Sequence, residues 1–223
     1  MSAPVVLYED NHLLVVDKPV GMSSQGAVPG EPNLVDWARD YLKHKYAKPG
    51  NVFVGVVSRL DRDVSGVLPL ARTSKAAARL NEQFRERTVE KIYWAIVEGT
   101  PPAELRCVDR LALDERRGRM TTVGPGDVAG QEAVLTLRSL RPLGTATLVE
   151  IVLETGRKHQ IRVQLSERGW PVLGDRKYGS RRDFPVGIAL HARRITFEHP
   201  TRREPVVVVA PCPAAWGKFG IVE

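Results

Sequence analysis

The chain opens with two short apolar runs, Val5-Val6-Leu7-Tyr8 and Leu13-Leu14-Val15-Val16, parted by the polar Glu9-Asp10-Asn11. This pattern predicts a β-hairpin, followed by a loop through Lys18-Pro19-Val20-Gly21-Met22. Asn33 can cap a helix in which Leu34, Trp37, Tyr41 and Leu42 share one face, and Pro49-Gly50 ends it. Residues 52–57 read as an apolar strand and residues 66–71 as another. A helix is expected from Thr73 or Ser74 to Arg87, with Ala77, Leu80 and Phe84 turned inward.

Residues 89–97 alternate, Lys91, Tyr93 and Ala95 facing one way and Ile92, Trp94 and Ile96 the other. Over residues 99–130 the pattern dissolves into Pro, Gly and charge, which predicts mostly loop or a lid. Strands resume at residues 133–140 and 146–153, and a helix over residues 159–168 stops at Gly169. Two last strands are expected near residues 188–197 and 206–210. Many strands with a few scattered helices, without strict alternation, point to an α+β fold on a mixed sheet.

At 223 residues and 43% hydrophobic, the chain can bury a core as one large domain or two tightly joined lobes. No apolar run approaches the ~20 residues that span a bilayer, and the first residues carry no secretory pattern. Cys107 and Cys212 stand far apart without ligand-like spacing, which suggests neither disulfide nor zinc and fits a reducing cytoplasm. Charge adds more. Lys plus Arg number 33 against 26 for Asp plus Glu, a net +7. The cations come in pairs and triples, at Arg116-Arg117-Gly118-Arg119, Arg176-Lys177, Arg181-Arg182, Arg193-Arg194 and Arg202-Arg203. Such clustering favours a polyanion over ordinary solubilising charge.

Two segments gather the residue types that do chemistry. Ser58-Arg59-Leu60-Asp61-Arg62-Asp63-Val64-Ser65-Gly66 packs two carboxylates and two guanidinium groups into one turn between apolar strands. A carboxylate beside arginine stays ionised and oriented, as a nucleophile or base requires; a solvated turn with local ion pairs is the bland alternative. Thr155-Gly156-Arg157-Lys158-His159-Gln160-Ile161-Arg162 puts cations near a helix start, where backbone N–H groups can hold an anion. Tyr93, preceded by Glu90-Lys91, is either an aromatic that stacks on a base or plain core. His159 and His191 are open between general acid and structural roles.

Together and in order, these segments resemble the RluA family of pseudouridine synthases over nearly the whole chain. Asp17-Lys18-Pro19-Val20-Gly21 is similar to the family's lysine–proline–glycine loop, and Arg59-Leu60-Asp61 with Ser65-Gly66 to its central motif. Lys91-Ile92-Tyr93-Trp94-Ala95 resembles the strand that supplies an active-site tyrosine, and the 155–162 segment the motif whose later arginine pairs with the catalytic aspartate. Gly174-Asp175-Arg176-Lys177-Tyr178-Gly179, Leu190-His191-Ala192 and His199-Pro200 extend the match. Departures are Ser58 and Gln164, where members usually carry histidine, and Pro69 in a run that is normally aliphatic.

The resemblance implies one catalytic domain over residues 1–223 without the S4-type RNA-binding domain of many relatives. It also implies a largely antiparallel mixed sheet with flanking helices and an RNA-binding cleft. The reaction would turn a uridine of ribosomal or transfer RNA into pseudouridine, with the base flipped out. Asp61, Tyr93 and Arg162 would be catalytic: the carboxylate, the ring stacked on uracil, and the cation that orients Asp61. Arg59, Arg62, Arg157, Lys158 and His159 would contact RNA, Arg59 filling the space that the base leaves. No cofactor or metal is implied, and the protein is expected to be a cytoplasmic monomer. Two alternatives are an RNA-binding or folding factor on the same scaffold and an unrelated carboxylate hydrolase, which would need a metal or a second general acid.

Overall fold

A computed structural model of the chain describes residues 2–26 and 33–222. In chain order the elements begin with β1 (Val5–Glu9), β2 (Leu13–Lys18), α1 (Leu34–Lys45), β3 (Gly55–Val56), β4 (Ser65–Ala71) and α2 (Ser74–Glu86). Next come β5 (Glu90–Glu98), β6 (Glu104–Asp114), β7 (Arg119–Val123), β8 (Gln131–Leu143) and β9 (Ala146–Leu153). The chain closes with α3 (Gln160–Ser166), a 3-10 turn at Arg176–Tyr178, β10 (Leu190–Glu198), β11 (Pro205–Val209) and a 3-10 turn at Ala214–Phe219. The chain divides into two compact units, Met1–Val89 with Ala192–Cys212, and Glu90–His191 with Pro213–Glu223. Both are α+β in character, with antiparallel strand pairings at β1–β2, β2–β4, β5–β9 and β8–β9 among others.

In the first unit the strand order is β1-β2-β4-β10, with β11 beside β10 and β3 beside β4. The expected hairpin is present, and Leu13, Leu14, Val15 and Val16 of β2 are all fully buried. A strand buried on both faces needs no polar alternate, which is why this run reads as continuous rather than alternating. β4 is likewise buried throughout and keeps its place opposite β2 although Pro69 sits within it, facing Val15. The strand expected over 52–57 shortens to β3, which pairs only with Ala71 and Leu70. β4 already has β2 and β10 as neighbours, so only its end is free to take a third partner.

Both helices of this unit start where their caps predict. Asn33 Oδ1 accepts the Asp36 N–H at 3.1 Å, and Thr73 Oγ1 accepts that of Ala76 at 3.2 Å. Each such cap contributes about 1 kcal/mol. The buried stripe of α1 is Leu34, Val35, Ala38 and Leu42. Trp37 and Tyr41, expected on the same face, are instead half-buried and stacked on each other at 5.3 Å. α2 likewise buries Ala76 and Leu80, leaving Ala77 and Phe84 half-covered. In both helices the expected leucines, Leu34, Leu42 and Leu80, do face inward, but the rest of the stripe is Val35 and Ala38 in α1 and Ala76 in α2.

The second unit has the order β5-β9-β8-β6-β7, antiparallel throughout. Here the expectation of a loop over 99–130 is overturned, because β6 and β7 form a long hairpin inside that range. β6 buries Cys107, Leu111 and Ala112 but carries Arg106, Asp109 and Arg110 on less covered positions. β7 is half-covered along its whole length at the end of the order. One apolar face on so charged a ribbon leaves a weak two-residue period in the sequence. α3 is shorter than expected and buries every residue from Gln160 to Leu165, including Arg162 and Gln164.

Candidate active site

In the first unit the loop after β2 grips the turn that carries Asp61. The Gly21 N–H donates to Arg62 O at 2.8 Å, and Arg62 Nε returns to Gly21 O at 3.0 Å. Ser24 Oγ donates to Leu60 O at 2.7 Å and accepts the Leu60 N–H at 3.0 Å. The residues on either side of Asp61 are therefore each held at two points. The Val64 N–H closes the turn on Asp61 O at 3.1 Å, while Leu60 and Val64 are buried. Asp61 is half-buried, and Arg59, Arg62 and Asp63 are exposed.

Lys18, the last residue of β2, is fully buried, its Nζ donating to Pro19 O and Met22 O at 2.9 Å each. Burial pushes its ammonium down to about 8, against the charges of Asp61, Asp63 and Asp17, which favour the proton. The neighbouring Asp17 is pushed up to about 6 by burial, opposed by the Gly66 N–H and by Lys18. Gly66 itself pairs with Lys18 in the ladder, at φ +118°, and a Cβ there would run into the backbone of Ala192. No other residue type fits at that position.

In the second unit Arg162 sits on α3 and forms a two-point pair with Asp175, Nε–Oδ2 at 2.6 Å and Nη2–Oδ1 at 2.9 Å. Its guanidinium carbon lies 5.0 Å from the ring centroid of Tyr178. The Tyr178 hydroxyl is 2.7 Å from His159 Nδ1 and accepts the Met120 N–H at 3.1 Å. After Gly156, the Arg157 N–H donates to Gln160 Oε1 at 3.0 Å, and Arg157 Nε donates to Glu132 O at 2.9 Å, so both of these donors are taken up within the unit. Lys158 is exposed, and His159, which precedes α3 with a left-handed backbone, is half-buried. Tyr93 is half-buried on β5 opposite Ile151. Of the RNA-contact candidates, Arg59 and Lys158 are exposed; Arg62 is exposed but holds Gly21 O, and Arg157 and His159 are half-buried with contacts inside their own unit.

Residues 12–167 match the family model described as RNA pseudouridylate synthase. The chain belongs to that family. An uncharacterised RNA pseudouridine synthase of Synechocystis sp. is 34% identical over 221 residues, 96% of this chain and 67% of that protein. Ribosomal large subunit pseudouridine synthase C of Vibrio cholerae is 36% identical over 94% of this chain and 66% of its own length. The chain thus spans about two thirds of these relatives. Human RNA Pseudouridylate Synthase Domain Containing 4 superposes with a TM-score of 0.80 at 25% identity, covering 97% of this chain and 93% of that one.

The stretch that matches the RNA pseudouridylate synthases, residues 12–167, contains Asp61, Tyr93 and Arg162. It also contains both histidine replacements. Gln164 is fully buried, its Nε2 donating to Asp109 Oδ2 at 2.6 Å and Ala133 O at 3.1 Å, so it braces α3 against β6 and β8. Ser58 is half-buried before the Asp61 turn. Three residues that hold or neighbour the candidates within their own units were not singled out from the sequence: Lys18, Ser24 and Asp175. Lys18 and Asp175 stood in quoted motifs, as charges beside hydrophobic positions. Ser24 gave no signal, since its partner is 36 residues away.

Proposed function

We propose that this chain converts a uridine of ribosomal RNA into pseudouridine, with Asp61 as the reacting carboxylate. The observation that carries the reading is the Asp61 turn, whose flanking residues are gripped by the loop after β2 and whose carboxylates lie within electrostatic reach of the buried Lys18. A half-buried carboxylate on a backbone held this firmly is prepared for chemistry rather than for solvation. The ribosomal choice rests on relatives named as ribosomal large subunit pseudouridine synthases. Tyr93 would stack on the uracil and Arg162 would orient the carboxylate, the roles that the family resemblance gives them. Arg59, Arg62 and Lys158, all exposed, suit contacts to phosphate or to the vacated stack.

The reaction breaks the N1–C1′ bond, turns the uracil, joins C5 to C1′, and exchanges the C5 hydrogen for a proton gained at N1. A base in a stacked helix must first be flipped out, at a cost of a few kcal/mol. We infer a cytoplasmic location, which suits a ribosomal RNA substrate. Pseudouridine mapping in cells with and without this gene, and with Asp61→Asn, tests the proposal. One ribosomal position should lose its pseudouridine in both altered strains. A folding factor without catalysis would leave the Asp61→Asn strain unchanged, and loss confined to a transfer RNA would overturn the ribosomal choice.

A further inference from the structure

The direction of the Asp61 side chain is set where two peptide planes meet at its Cα. The plane on the C-terminal side is pinned within the turn, by the Val64 N–H on Asp61 O at 3.1 Å. The plane on the N-terminal side carries Leu60 O, and that oxygen accepts from Ser24 Oγ at 2.7 Å. The same hydroxyl accepts the Leu60 N–H at 3.0 Å, so both polar groups of the residue before Asp61 end on one side chain. Fixing both planes fixes φ and ψ of Asp61, and with them the line of its Cα–Cβ bond. One plane is held locally; the other is held from 36 residues away.

We propose that Ser24 is a positioning residue for the reaction, acting through Leu60 on the aim of the Asp61 carboxylate. This rests on the reading of Asp61 as the reacting group. Ser24 is 4% exposed, so its hydroxyl is shielded from substrate and works only through the protein. The adjoining residue is itself anchored, since Ser23 O accepts the N–H of Leu34, the first residue of α1, at 2.9 Å. The hydroxyl therefore reaches Leu60 from a fixed base. Without it, the buried Leu60 N–H and C=O lose their partner, and the peptide before Asp61 is free to tilt. A side-chain displacement on the order of 1 Å at a reacting group costs about 100-fold in rate.

The test compares Ser24→Ala, Ser24→Cys and Ser24→Thr with wild type, using total RNA labelled with 5-tritiated uridine from cells lacking the gene. Single-turnover tritium release with enzyme in excess reads the chemical step, filter binding reads RNA affinity, and thermal melting reads the fold. Ala and Cys should lose about 10- to 100-fold in rate, Cys because a thiol of similar size is a weak hydrogen-bonding group. Affinity should hold in both, and Thr, which keeps the hydroxyl, should recover most of the rate. An Ala variant that reacts within about threefold of wild type would overturn the proposal. So would a rate loss shared equally by Thr and matched by loss of folded protein, which marks a merely structural serine. Asp61→Asn is the control on the premise. If it reacts like wild type, the reading of Asp61 fails and this inference with it; if it is dead while Ser24→Ala is normal, only the inference fails.

Discussion

Arg162 and Asp175 meet through two hydrogen bonds of 2.6 and 2.9 Å, with their side chains only 5% and 1% exposed. Such a pair is held in the interior by geometry, since desolvation of two charges opposes their attraction. Removing one partner strands the other. Asp175→Ala should therefore lower the stability of the folded chain by about 3–5 kcal/mol in urea unfolding. Replacing both, as Arg162→Met with Asp175→Leu, should recover much of that loss while abolishing tritium release. A single variant as stable as wild type would show that Arg162 has other support sufficient for its charge.

Tyr93 separates packing from chemistry, because it is half-buried on β5 rather than sealed in the core. Tyr93→Phe keeps the ring and loses the hydroxyl. If that hydroxyl moves a proton, the rate should fall by roughly 10²–10⁴ with melting temperature and RNA affinity nearly unchanged. A Phe variant that turns over normally would leave Tyr93 as a stacking residue.

Lys18 ties stability to pH through its value near 8. A lysine lowered in the folded state binds fewer protons there than in the unfolded chain, between about 8 and the ordinary lysine value of 10.5. Across that window the unfolded state holds the extra proton, so stability contributed by this site rises with pH. Below it, keeping the buried ammonium charged is a standing cost. Relative to Lys18→Met, wild type should thus gain on the order of 2 kcal/mol between pH 7.5 and pH 10. Urea midpoints of both proteins at the two pH values check this; a constant difference would mean that Lys18 titrates outside the window.

Lys158 is exposed beside α3 and fits a phosphate contact rather than a base contact. Lys158→Ala should weaken RNA binding evenly across sequences. It should also reduce the slope of log affinity against log salt by about 0.7–0.9. An unchanged slope would take Lys158 out of the interface.

Local pattern alone determined the elements whose signals are short-range. The β1–β2 hairpin, the Asn33 and Thr73 caps, the buried run of β4 and the strands β9 to β11 all follow from neighbours a few residues apart. The order of charged and aromatic motifs also sufficed for the family, because such motifs are read directly from the residues and need no knowledge of how the chain returns in space. The β6–β7 hairpin escaped, since a half-solvated ribbon rich in Arg and Asp carries little apolar period. So did the true inward stripe of α1, which avoids its two most conspicuous rings.

Only the tertiary structure decided what holds the candidate site residues. The grip of Ser24 on Leu60 spans 36 residues, that of Arg62 on Gly21 spans 41, and the Arg162–Asp175 pair spans 13. No periodicity records these partners, because each contact depends on how the chain returns in space and not on what lies next to it in sequence. A serine or a lysine reads the same on the page whether it faces water or a buried carbonyl. Burial decides between them: it turns Ser24 into a two-point clasp and lowers the proton affinity of Lys18.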